Sequence, residues 1–224
     1  MLLVTVDDIA TDRVPAQWQR HTPVLRTLAR WTHEYLAAPH PDLGRPGNVC
    51  PFMPAALSRG SVYLRVDEGA DPDLTAVSAR LLVLRDWFLE LSQADPAHKM
   101  HYAILTAFPE IPPERMERVI EGTQAELKDE FVATGTMIGE FHPLPPSRHG
   151  LWNEHFRPFR CPVPVLAIRH MVSADLPFLD GEPEHVEAYL ERYANNVPAH
   201  LEAHVGEVIE EFDIDVEAIE GAET

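Results

Sequence analysis

The chain has 224 residues and carries 18 Lys and Arg against 36 Asp and Glu, a formal charge of −18 at pH 7. So acidic a surface is repelled by phosphate backbones and anionic lipid, which excludes a general nucleic-acid or membrane-surface role. Hydrophobic residues make up 45% of the chain, enough for a globular core and too many for wholesale disorder.

The start, MLLVTVDDIATDR, is too short in its apolar part for a secretory leader, and acids follow it. No stretch has the apolar length needed to span a bilayer. Two cysteines, Cys50 and Cys161, cannot make a disulfide framework. The expected compartment is the cytoplasm, with both thiols reduced.

Residues 16–38 read as a helix, with Trp18, Leu25, Leu28, Tyr35 and Leu36 near one face and Pro39 ending it. The segment HPDLGRPGNVCPFMP that follows is too rich in Pro and Gly for a regular element. Residues 61–66 alternate as a strand, Val62, Leu64 and Val66 to one side. Asp71-Pro72 reads as a helix start, and the helix runs to about Leu91 with Leu74, Val77, Leu81, Leu84 and Phe88 inward.

Residues 101–108 form a second strand by composition. Pro112-Pro113 opens a third helix whose stripe is Met116, Val119, Ile120, Thr123, Leu127 and Phe131. Residues 136–142 and 164–172 are the third and fourth strands, separated by the loop PLPPSRHGLWNEHFRPFRCPVP. A last helix begins near Pro183, and Pro198 is expected to kink it.

The predicted order is α-β-α-β-α-β-β-α. It implies an α+β fold, a mixed or antiparallel sheet of about four strands with packed helices. A doubly wound α/β fold ranks second, because the third and fourth strands lack a crossover helix. Residues 1–204 read as a single domain and 205–224 as an acidic C-terminal extension.

Three places can carry chemistry. Cys50 sits in a loop bracketed by Gly and Pro, with Arg45 near enough in sequence to stabilise a thiolate; the plainer reading is a small buried hydrophobe. The loop from Leu144 to Pro164 holds Arg148, Arg157 and Arg160 against Glu154, a local charge of +2, and Arg169 follows on the next strand. Such a basic island can bind a carboxylate, a phosphate or a cofactor propionate, or can pair with the protein's own acids. His142 ends the third strand and His170 lies on the fourth; no HExxH or CxxC spacing marks a metal site. His98, His101, His185, His200 and His204 read as surface or helix-face residues. No phosphate-binding glycine motif and no GxSxG elbow is present.

The blocks GRPGNVCPFMPAAL, GEFH and NEHFRPFRCPVPVLAIRHMVSADLPFL resemble an uncharacterised bacterial family classed as a domain of unknown function. A remoter similarity links them to small heme-dependent arginine N-hydroxylases. That resemblance implies a heme b cofactor, with Cys50 as the thiolate ligand and the metal-binding residue. It implies that Arg45, Arg148, Arg157 and Arg160 hold propionates or a substrate carboxylate, and that Met137 or His142 faces the iron's other side. Thiolate ligation favours O–O cleavage, as an oxygenase that N-hydroxylates an amino-acid-like or guanidino metabolite requires. His142 and His170 are the catalytic candidates.

The implied partners are a small-molecule substrate, an electron donor of unspecified identity and, as an option, a second copy of the chain in a homodimer. Two alternatives stand beside this reading. One is a heme or anion binding or sensor protein without turnover. The other is a non-heme enzyme acting on an anionic metabolite through His and Arg side chains.

Overall fold

The computed structural model describes residues 2–69, 72–144, 149–216 and Ile219. The expected α+β class is observed, but among the described residues the sheet has five strands, and the first element is a strand. Strand β1 (Val4–Thr5) leads directly into helix α1 (Val6–Ala10). Two residues are too few to show a period, which is why this strand escapes pattern reading. The junction is held by a capping box: Asp8 N–H donates to Thr5 Oγ1 at 3.1 Å, and Thr5 N–H donates to Asp8 Oδ2 at 2.9 Å.

The segment 16–36 is helical throughout, with α2 (Thr22–Trp31) at its centre and a wide π-type turn at Thr32–Leu36. The short helix α3 (Met53–Ser58) follows the Pro/Gly-rich loop. Strand β2 (Val62–Val66) alternates as its sequence demands, with Val62, Leu64 and Val66 all buried. Asp71 lies outside the described residues, and the cap of α4 (Leu74–Ser92) is Asp73. Its carboxylate accepts from Ala76 N–H at 2.8 Å, so the helix begins two residues later than the Asp-Pro pair suggests.

Strand β3 (Ala103–Ala107) runs parallel to β2, and α4 is the crossover between them. A stretch of single helical turns at 113–121 feeds α5 (Gly122–Ala133), then come β4 (Thr136–Phe141) and β5 (Val165–His170). The sheet order is β1-β2-β3-β5-β4, with β5 inserted antiparallel to β3. It is therefore mixed: β1 runs against β2 and β5 against β3, whereas β2 and β3 are parallel.

The chain folds as two compact units. The first takes the described residues of Met1–Leu127 and Ile138–His170, the second those of Lys128–Met137 and Met171–Thr224. One core of the first unit joins Trp18, Leu25, Leu28, Val62, Leu64 and Val165.

The second unit is built on α6 (Pro183–Tyr193) and α7 (Glu202–Phe212). Its core includes Met137, Leu176, Leu179, Val186, Tyr189 and Val208. Pro198 does more than kink a helix: α6 stops at Tyr193, Val197 is extended, and α7 is a separate helix. A proline here has no N–H to continue the ladder and pushes the residue before it out of the helical region. His185 is a helix-face residue on the buried side of α6; it is 4% exposed and its Nε2 lies 2.8 Å from Asp129 Oδ1.

Among the described residues no helix is long and apolar enough to cross a membrane. Leu64 is fully buried at the centre of β2, so Leu64→Ala should lower the unfolding free energy by about 2–5 kcal/mol. Urea denaturation followed by circular dichroism measures this.

Candidate functional site

The Cys50 loop closes on itself at its base. Val49 N–H donates to Ala38 O and Cys50 N–H to Leu36 O, both at 2.9 Å, and Pro39 pairs with Asn48 across the neck. Cys50 is thus tied to the end of the 16–36 helix. It is a free, partly exposed cysteine that packs against the first unit's core.

This loop meets the basic loop. Gly44 has φ +79°, and a Cβ there would stand 2.7 Å from the Trp152 carbonyl oxygen. The Arg45 guanidinium lies over the Trp152 ring, 5.0 Å from its centre, while donating to the carbonyls of Pro46 and Val49. Asn153 Nδ2 donates to Asp42 O at 2.8 Å.

Where the two loops and the helix end come together, a cleft of about 630 Å³ opens. Its walls are aromatic. Trp31 and Tyr35 stack with ring centres 5.8 Å apart, and His40 lies 4.7 Å from Phe156. Both helix residues also anchor the basic loop. Trp31 Nε1 donates to Arg160 O at 3.1 Å, and the Tyr35 hydroxyl donates to Pro158 O at 3.0 Å.

The polar lining consists of Arg157, Arg160, His40, His155 and Asp42. Two arginines against one aspartate leave a single positive charge with the imidazoles neutral. Arg157 donates to Glu154 O and Phe156 O, so it also shapes its own loop. Arg160 is exposed, and among the described residues its guanidinium has no hydrogen bond or ion pair.

The cleft holds a thiol, but it is Cys161, only 1% exposed. Burial pushes it up to about 12. Burial, and then the neighbouring Cys161, pushes the Tyr35 phenol up to about 12 as well. At neutral pH both groups keep their protons, so neither is a ready nucleophile.

The remaining expected site residues are placed as follows. His142 is 1% exposed; its Nε2 lies 2.8 Å from Glu121 Oε1, and its carbonyl accepts from Cys161 N–H at 3.1 Å. Its neighbour Pro143 lines the cleft, whereas neither His142 nor Cys50 is among the cleft-lining residues. His170 is buried, its Nε2 2.7 Å from Ser92 Oγ and its ring 4.8 Å from Phe88. The Arg169 guanidinium donates to His170 O. Met137 belongs to the second unit's core. Arg148 lies outside the described residues.

The arrangement therefore brings together Arg157 and Arg160, with Arg45 on the adjoining loop, and adds Trp31, Tyr35, His40, Phe156 and Cys161 to the site. Sequence reading misses these five because they sit on three segments up to about 130 residues apart. One local signal exists, the alternation of aromatic and Arg residues in HFRPFR. Among the described residues, no group of three or more His, Cys, Asp or Glu could hold a metal ion. The cleft's own donors do not fit a thiolate-ligated heme, since its thiol, Cys161, is only 1% exposed and Cys50 is not part of the lining.

Three expectations test this geometry. Gly44→Ala should lower the melting temperature by several degrees, because the new Cβ strains the left-handed backbone and strikes Trp152. The second concerns alkaline stability. The unfolded Cys161 thiol ionises at about 8.5 while the folded one holds its proton to about 12. Its contribution is present below the unfolded value and is lost as pH rises through the folded one. Cys161→Ala should flatten the fall in stability across that window by up to about 1.4 kcal/mol per pH unit. In the native protein at pH 8, a disulfide reagent should label Cys50 and spare Cys161.

Neither a curated protein nor a solved structure matches this chain. A family model does match, over residues 25–204, a span that takes in every residue of the cleft. The chain therefore belongs to the family described as a domain of unknown function, DUF6875.

Proposed function

We propose that the protein binds a planar organic anion, an aromatic carboxylate, in the cleft between the Cys50 loop and the basic loop. One observation carries this reading: an arginine without a hydrogen bond or ion pair among the described residues, Arg160, stands at an aromatic-walled cleft of about 630 Å³ inside a chain of charge −18. A volume of that size suits a small-molecule ligand. The flat faces of Trp31 and Phe156 suit a ring, and a guanidinium fork matches a carboxylate. The long-range field of the protein repels anions, so a cleft with local positive charge selects ligands by contact rather than by steering. With Tyr35 and Cys161 both protonated, the described lining supports binding and recognition better than nucleophilic turnover.

A second reading retains heme and the oxygenase chemistry that the Cys-Pro-Phe resemblance implies. Its supporting observation is that Cys50 is the partly exposed thiol of the two. In that reading Cys50 would hold the iron, and Arg45 with Arg157 and Arg160 would be the candidates for the propionates. Bound thiolate heme would supply oxygen activation.

Benzoate tests the first reading. It should quench tryptophan emission saturably, and Arg160→Ala should weaken the binding about tenfold, as loss of one charge-assisted contact implies. No saturable quenching, or equal affinity in the variant, removes the proposal. Hemin tests the second. A Soret band that disappears in Cys50→Ser and persists in Cys161→Ser would establish thiolate ligation, and identical spectra for wild type and the Cys50 variant would exclude it.

A further inference from the structure

Strand β2 ends at a second, smaller pocket of about 280 Å³ on the first unit. It lies where β2 gives way to the loop leading into α4, at the carboxyl end of the parallel β2–β3 pair. In sheets with parallel strands this end is where ligands collect. The pocket's walls come from Arg65 on β2, from Asp67 and Glu68 in the loop, from Arg80 on α4 and from Trp18.

The charges there sort into pairs with one left over. Arg80 grips Asp67 with two bonds, Nε to Oδ2 at 2.7 Å and Nη2 to Oδ1 at 3.0 Å. Glu68 takes Arg20 and His21, each at 2.9 Å. Arg65 has nobody. Its Nε is buried without a hydrogen-bond partner, and among the described residues its guanidinium makes no hydrogen bond or ion pair.

Burial pulls the Arg65 pKa down, with repulsion from Arg80 adding to that and Asp67 opposing it. An arginine nevertheless stays charged at neutral pH. A half-buried guanidinium with an orphaned donor is costly. The pocket that Arg65 lines gives an outside anion access to this side chain.

We propose that this pocket is a second ligand site, in which Arg65 takes the carboxylate of a small monocarboxylic acid. The charge of the ligand follows from the neighbours. One positive charge is uncompensated, and Asp67 and Glu68 stand beside it, so a monoanion is admitted and a phosphate dianion is repelled. The size of the ligand follows from the pocket. At about 280 Å³ it is below the usual drug-sized range, and Trp18 and Leu2 give it an apolar wall for a short hydrocarbon chain.

Propionate is the probe. A saturation-transfer NMR titration is run at constant ionic strength, with inorganic phosphate and propylamine in parallel. Wild type should bind propionate saturably, phosphate more weakly and propylamine not at all. Arg65→Gln should weaken propionate at least about tenfold. Glu68→Gln removes a repelling carboxylate from an exposed position and should tighten it severalfold. Arg160→Ala, which alters only the larger cleft, should leave it unchanged. The proposal is overturned if wild type shows no saturable propionate binding, if Arg65→Gln binds like wild type, or if Glu68→Gln does not bind more tightly. It is equally overturned if Arg160→Ala abolishes the signal, since propionate then sits in the other cleft. Should Arg65→Gln fail to fold, the wild-type ligand series and Glu68→Gln decide.

Discussion

Trp31 and Tyr35 each direct their one polar group at a carbonyl of the 157–160 segment, and the larger cleft depends on that tie. The segment is irregular and Pro-rich, so it has no ladder of its own to satisfy those carbonyls. An indole and a phenol held four residues apart on one helix satisfy them instead. The same rings then form the cleft's wall, so the groups that fix the loop also define what can lie against it. The wide turn at Thr32–Leu36 belongs to this arrangement, because it ends the helix with Leu36 and Ala38 in position to accept from the far end of the Cys50 loop.

Charge in this molecule is organised by what is left over rather than by what is abundant. Acids outnumber bases two to one, yet both pockets present an arginine that no described acid claims, Arg160 in one and Arg65 in the other. The two differ in cost. Arg160 is exposed and keeps its water, whereas Arg65 has a buried Nε without a partner. The first is a ready surface for an anion, and the second is an unfinished interaction.

The regular elements were legible where a single face meets the core. Val62, Leu64 and Val66 alternate, and Val77, Leu81, Leu84 and Phe88 keep helical spacing; all are buried. Pattern fails where an element is shorter than its own period, as in β1, or where proline ends a helix that hydrophobic spacing would continue, as at Pro198. The basic loop was legible as a charge anomaly, and the Cys50 loop as a Gly/Pro anomaly. Their contact through Arg45 and Trp152 was not, because no local rule pairs residue 45 with residue 152. Arg65 was invisible for the opposite reason. It stands at an outward position of a good strand, where an arginine looks ordinary until the helix above it is seen to engage Asp67 instead.

The closure of the Cys50 loop bears on the order in which the molecule assembles. Its neck joins residues about a dozen apart, Leu36 with Cys50 and Ala38 with Val49, so it can form early and at small entropic cost. Its partner loop is more than a hundred residues further along and is positioned only when β5 has entered the sheet beside β3. Contacts of such separation form late. One wall of the cleft is thus a local structure that waits for the other, and until β5 is in place the stacked faces of Trp31 and Tyr35 lack their cover. During synthesis that interval lasts for as long as the ribosome takes to add the residues between Cys50 and His170.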